Sequence, residues 1–125
     1  MSSTTREIGK AYESLAQQYL EVEGLTLIEK NFTCKFGEID LVMQHDDYLV
    51  FVEVRYRKSL RFGSGADSVS HTKQSRLISS AQYYLQRHKK FAQWNCRFDV
   101  LSITRQNQQP QQQPAIEWIQ NAFQA

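Results

Sequence analysis

Two apolar runs, each with an acid set into it, constrain this chain more than any other feature. In Gly37 to Ser59, GEIDLVMQHDDYLVFVEVRYRKS, the first run holds Asp40 and the second holds Glu53 between Val52 and Val54. His45-Asp46-Asp47-Tyr48 separates them, the polar break that a β-hairpin requires. With Asp46 and Asp47 as the central turn residues, Ile39 opposes Val54, Leu41 opposes Val52 and Met43 opposes Val50. That register makes one side of the ribbon wholly apolar, as the two-residue strand period demands. The other side then pairs Val42 with Phe51, Asp40 with Glu53, and Glu38 with Arg55.

Directly opposed acids have Cβ atoms about 4.5–5.5 Å apart and repel. Apolar neighbours screen them poorly. Two resolutions are available: one carboxyl keeps its proton through a raised pKa, or a divalent cation sits between them. Hard oxygen ligands suit Mg²⁺, which takes one or two carboxylates and leaves its remaining positions to water and phosphate. The plainer alternative is an ion pair of Glu38 with Arg55, with Asp40 and Glu53 reaching the sheet edge. Two opposed acids favour a site, and a third, Glu13, borders the apolar stripe of the first helix.

The remaining elements are read from their periodicity. Ile8, Tyr12, Leu15, Ala16, Tyr19 and Leu20 recur at helical spacing, with Thr4-x-x-Glu7 as a capping box and Gly24 as the stop. Residues 25–28 open a first strand that extends toward Phe32. Residues 37–44 and 48–57 form the hairpin, and 58–71, with Gly63 and Gly65, a loop. Leu77, Ile78, Ala81, Tyr84 and Leu85 mark a second amphipathic helix. Residues 96–104 alternate like a strand, and Ile116 to Ile119 form a last short one. Between these strands, residues 106–114 hold six Gln and both prolines, a low-complexity loop. The order α-β-β-β-α-β-β predicts a single α/β domain over 1–125. Its mixed central sheet has flanking helices: an antiparallel meander of three strands, then a right-handed crossover placing the fourth parallel to the third.

At 125 residues with 41% apolar content, the chain is long enough for one modest core. No run of about 18 apolar residues is present, so no membrane span is expected. The N-terminus MSSTTREIGK has no apolar signal stretch, and a cytoplasmic protein with Cys34 and Cys96 as reduced core thiols is expected. A net charge of +2 does not by itself demand a nucleic-acid partner. The distribution says more, because Arg55, Arg57, Lys58 and Arg61 cluster after the second acid. His45 reads as a turn residue.

The stretches GKAYESLAQQYL, EKNFTCKFGEIDLV, LVFVEVRYRKS, SVSHTKQSRLISSAQYYL, RFDVLSI and IEWIQNAF resemble, in order and over nearly the whole chain, the YraN-type family of small uncharacterised bacterial proteins. That family is similar to the PD-(D/E)XK nuclease superfamily, particularly its Holliday-junction-resolvase-like branch, so the resemblance implies a restriction-endonuclease-like fold. It also implies that Asp40 and Glu53 are the two motif acids and that Glu13 is the helix acid of resolvase-like members. Together they would hold one or two Mg²⁺ ions, with Mn²⁺ as a substitute. Arg55 stands where the pattern has Lys. It stays charged and would serve by stabilising developing charge, leaving Lys73 as the replacement lysine. Arg57, Lys58, Arg61 and Arg76 would bind backbone phosphates, and Gln74 would orient water or DNA.

The expected activity is metal-dependent phosphodiester hydrolysis in nucleic acid, DNA above all, and junction cleavage would call for a homodimer. A nucleic-acid-binding protein with a nuclease fold and no cleavage is the alternative that Arg55 supports. A protein–protein adaptor using Trp94, Trp118 and Phe123 is a further one.

Overall fold

The computed structural model describes residues 5–57, 69–104 and 114–125. The order is α1 (Thr5–Val22), β1 (Thr26–Cys34), β2 (Gly37–His45), β3 (Tyr48–Arg57), α2 (His71–Arg87), a short 3₁₀ turn (Lys89–Phe91), β4 (Asn95–Thr104) and β5 (Ala115–Phe123). The five strands form one sheet in sequence order, antiparallel except for the parallel β3–β4 pair. This is the expected mixed α/β sheet, with α2 making the crossover. Thr4, the loop glycines Gly63 and Gly65, Lys58, Arg61 and nearly all of the Gln-rich stretch lie outside the described residues.

The two helices cover opposite faces of the sheet. Ala16 and Leu20 of α1 pack with Leu41, Met43, Val50, Val52, Leu101 and Ile103. Leu77, Ala81 and Tyr84 of α2 pack with Phe32, Val42, Leu49, Phe51 and Val100. Burial on both faces explains why β3 reads as a nearly continuous apolar run. Gly24 stops α1 in a left-handed conformation (φ 102°): its N–H donates to the Glu21 carbonyl at 3.1 Å, and Leu25 N–H donates to the Leu20 carbonyl at 3.0 Å. Ser70 caps α2, its Oγ accepting from Lys73 N–H. Ile8, placed on the buried stripe by periodicity, is 41% exposed, so α1 begins to bury its apolar face only at Tyr12.

The hairpin register holds at the turn and fails at the acids. His45 pairs with Tyr48, Met43 with Val50 and Leu41 with Val52, as expected, and Asp46 takes a left-handed φ of 56°. The β2–β3 ladder stops at Leu41–Val52. The expected pairs Asp40–Glu53, Ile39–Val54 and Glu38–Arg55 do not continue it. Instead Val54 N–H donates to Asp40 Oδ2 at 2.8 Å, so a side-chain carboxylate takes the bond that a backbone carbonyl would otherwise accept. The strict alternation breaks at the same place. Ile39 joins the core on the α2 side, whereas Leu41 and Met43 face α1.

A second acid organises the far edge of the sheet. Asp99 is fully buried. Its carboxylate accepts from Arg97 Nε (2.9 Å), Trp118 Nε1 (2.9 Å) and the backbone N–H of Asn121 (2.9 Å). Asn121 is left-handed (φ 50°), and the β4–β5 register shifts between Phe98 and Val100, so Asp99 holds a bulge in the edge strand. Arg97 Nη2 also donates to His45 Nδ1 at 2.8 Å, which ties His45 into this network and corrects its reading as a simple turn residue. Both cysteines are free; Cys34 is half-buried, but Cys96 is exposed and not a core thiol. No helix among the described residues is long and apolar enough to cross a membrane. Asp99→Ala would strand three part-buried donors, one of them a guanidinium, and urea unfolding should show a loss of about 3–5 kcal/mol relative to the wild type. A loss below about 1 kcal/mol would show that the network does not hold the bulge.

Candidate carboxylate site

The break between β2 and β3 lets acids from both sides of the sheet converge. Glu53 continues the β3 positions Leu49 and Phe51, which face α2, and is buried at 4% exposure. Glu13 comes from α1, on the other face, and its carboxyl lies beside Asn31 and Asp40. Asn31 adopts a left-handed φ of 56° within β1, beside the point where its side chain meets Glu13. Asp40 lies between the two, accepting from Val54 N–H, with the Glu13 and Glu53 carboxyls close enough to act on its charge.

Carboxylate oxygens of Glu13, Glu38 and Asp40 all lie within 4.8 Å of one another. Glu38 is the member that sequence reasoning missed. The hairpin register places it opposite Arg55, but the ladder ends before that pair and Glu38 lies in the acid cluster. Its position two residues before Asp40 in one strand was the available signal. Of the residues expected to hold metal, Glu13 and Asp40 fall in this close group with Glu38, and Glu53 adjoins it next to Asp40.

The electrostatics follow from this crowding. Burial pushes the Asp40 carboxyl up to about 8, and the neighbouring Glu53 and Glu13 push in the same direction against the Val54 N–H bond. Glu13 is also raised, first by burial and then by Glu38. Glu53 is held differently. Lys73 Nζ lies 2.7 Å from its Oε1, and Arg55 Nη1 lies 4.0 Å from the same oxygen. Both cations are only partly covered, at 40% and 31% exposure, so the pair keeps one side open to solvent.

Glu38, Asp40, Glu53 and Lys73 line a cleft of about 380 Å³ together with Gly37 and Arg76, whereas Glu13 lines a separate cavity with Lys10 and Asn31 on the α1 side. Of the expected cationic residues, Lys73 and Arg76 line it and Arg55 reaches Glu53. Arg57 is half-buried at the end of β3 and is not among the cleft-lining residues. Gln74 turns away: its Nε2 donates to the Val69 carbonyl at 3.0 Å and pins the entry to α2. Trp94 and Phe123 pack on the α2-side core and Trp118 on the α1-side core, so packing accounts for these aromatics.

Clustered acids supply only hard oxygen ligands. With no sulfur or imidazole among them, this donor set fits Mg²⁺ or Mn²⁺ rather than a softer metal.

Fold and site together define a small α/β domain with a carboxylate cleft at a break in its sheet. Residues 12–103 match the model of the uncharacterised protein family UPF0102, and the chain belongs to that family. It is similar to a UPF0102 protein of Saccharophagus degradans, 49% identical over 94% of this chain and 92% of the relative. It is also similar to one of Stutzerimonas stutzeri, 45% identical over 98% and 99% of the two chains. A relative from Nitrosomonas europaea is 49% identical over 92% of each chain.

A carboxyl raised in the folded state binds its proton more tightly than in the unfolded chain. Without metal, stability should therefore fall as pH rises from about 4 to about 8, where the folded Asp40 finally ionises. Asp40→Asn should flatten that slope in thermal melts recorded in EDTA. A wild-type slope unchanged by the substitution would refute the buried proton.

Proposed function

We propose that this protein is a metal-dependent nuclease, hydrolysing phosphodiester bonds in nucleic acid, DNA above all. The observation that carries the reading is the convergence of Glu13, Glu38 and Asp40 on one point, with Glu53 adjoining and cations from α2 beside it. Burial and the neighbouring acids raise the pKa of Asp40 and of Glu13, so these two carboxyls hold protons they would otherwise lose. A divalent cation relieves that cost, which is the usual reason for such a group to persist in a cleft. Glu13, Glu38 and Asp40 would hold Mg²⁺ or Mn²⁺, with Glu53 as the adjoining ligand. When bound, the ion supplies Lewis-acid activation of the attacking water and neutralises phosphate oxygens.

The chain's own residues divide the remaining work. Arg76, exposed on the cleft wall, contacts a phosphate as a fixed cation. Arg55 stays charged beside Glu53 and stabilises developing negative charge. Lys73 stands in for the lysine that the superfamily pattern places at residue 55. Its ammonium already touches Glu53, within reach of the same cleft. Arg57, Lys58 and Arg61, grouped after Glu53 in sequence, extend the phosphate contacts. The setting is cytoplasmic, and a homodimer would supply two cuts where a branched substrate needs them.

One observation favours a second reading. Lys73 Nζ lies 2.7 Å from Glu53 Oε1 and compensates its charge from within the chain. An internal cation in that position suits a nucleic-acid-binding protein that keeps the fold and does not cleave.

Calorimetric titration with Mg²⁺ and Mn²⁺ separates the two, followed by cleavage assays on single-stranded, flapped and branched substrates. The wild type should bind metal, more tightly as pH rises toward 8, and should cleave at least one substrate. Asp40→Asn with Glu13→Gln should abolish both. Lys73→Ala should lower the cleavage rate by about 10²-fold or more while metal binding persists. No metal uptake by the wild type, even with an oligonucleotide present, would reject hydrolysis in favour of the binding reading.

A further inference from the structure

The carboxylate cleft continues into a surface along α2. Lys73, Arg76, Tyr83 and Arg87 follow one another at intervals of three, seven and four residues, so they share one side of the helix. The α2 sequence HTKQSRLISSAQYYLQR contains no acid to offset these cations. Lys73 and Arg76 line the cleft itself.

The turn between β1 and β2 lies against the middle of this stripe. A Cβ placed on Gly37 would meet Ser80 Oγ at 3.4 Å and Arg76 Cβ at 3.7 Å, so the Gly37 backbone closely approaches α2 where the cleft ends. The preceding residue, Phe36, is 41% exposed and belongs to neither core cluster. Its ring lies edge-on to Tyr83, 6.2 Å between centroids at 65°. Arg87 completes the stripe: Nη1 donates to Tyr83 Oη at 3.1 Å, and the guanidinium lies 5.6 Å over the Tyr83 ring. Lys35 Nζ lies 5.2 Å from the Phe36 ring centre. Cations thus flank a pair of aromatic rings along one surface from Lys73 to Arg87, about 21 Å at 1.5 Å per helical residue.

We propose that this stripe carries a single-stranded nucleic-acid segment away from the cleft, with Arg76 and Arg87 on backbone phosphates and Phe36 stacked on a base. The proposal rests on the nucleic-acid reading of the cleft for the identity of the polymer, and it deepens that reading to single strands. Cations alone would serve a duplex equally well, because phosphates are common to both forms. The exposed ring makes the difference. Bases in a duplex have their faces stacked on each other, whereas those of a single strand are free to stack on Phe36. At about 3.4 Å per nucleotide along one strand, the stripe accommodates about six nucleotides.

The test is fluorescence anisotropy in EDTA with a labelled 12-mer of oligo(dT) and a duplex of equal length. The wild type should prefer the single strand. Phe36→Ala should weaken oligo(dT) binding about tenfold and leave duplex binding unchanged. Phe36→Trp should retain affinity, and its fluorescence should be quenched on binding, which also reports a folded protein. Arg87→Ala should reduce the salt slope of log K by about 0.7, the share of one phosphate contact on a single strand. Unchanged affinity in Phe36→Ala, or a preference for the duplex, would overturn the strand path.

Divalent metal is absent from the assay, so the result is independent of hydrolysis. A protein that never cleaves, yet loses oligo(dT) through Phe36, would retain the strand path and lose the nuclease reading. A protein that cleaves but whose affinity ignores Phe36 and Arg87 would retain the nuclease reading and lose the path.

Discussion

The candidate site depends on one hydrogen bond, from Val54 N–H to Asp40 Oδ2. An antiparallel ladder would satisfy Val54 with a backbone carbonyl and keep β2 and β3 together to their ends. A side-chain acceptor separates the strands by the length of the side chain, yet leaves no buried N–H unpaired. Through the resulting gap, Glu13 from one face and Glu53 from the other both reach Asp40. A continuous sheet would have kept α1 and α2 chemically apart. The break turns a two-sided core into a place where residues of four elements meet.

The rest of the architecture supports that gap. Packing of Leu41, Val42 and Met43 against both helices anchors β2 just after the break, and the parallel β3–β4 pairing runs uninterrupted from Tyr48–Asn95 to Arg57–Thr104. Strand β3 therefore keeps a full partner on one side while it loses one on the other. Glu53 and Arg55 project from a rigid strand, and Lys73 comes from the capped first turn of α2. Side chains held this way need little reordering to meet a ligand.

Sequence periodicity made the architecture legible because each face of the sheet is apolar and each helix carries one apolar stripe. The order of elements, the hairpin turn and the parallel crossover all follow from those patterns and from connection rules. The acids Asp40 and Glu53 were visible as charges inside apolar runs. The break between them was not, because a two-residue period assumes that the backbone accepts every ladder bond. That assumption put Ile39 with Leu41 and paired Glu38 with Arg55. A side chain substituting for a carbonyl leaves no mark on hydrophobic spacing. Asp99 was hidden for the same reason: its donors, Arg97, Trp118 and Asn121, are close to one another only once β4 and β5 have paired.

Asp40 and Asp99 show how one structural device can serve opposite ends. Each carboxylate accepts a backbone N–H at a place where a strand pair loses its regular register, Val54 for one and Asn121 for the other. Asp99 is then saturated by donors, a guanidinium and an indole N–H, with its charge compensated. A group so satisfied has nothing left to bind, and its role is to hold the bulge. Asp40 receives one donor and otherwise faces carboxyls, two of which raise its pKa. Its remaining interactions favour protonation or a cation. What distinguishes the structural acid from the chemical one is therefore the sign of the neighbours.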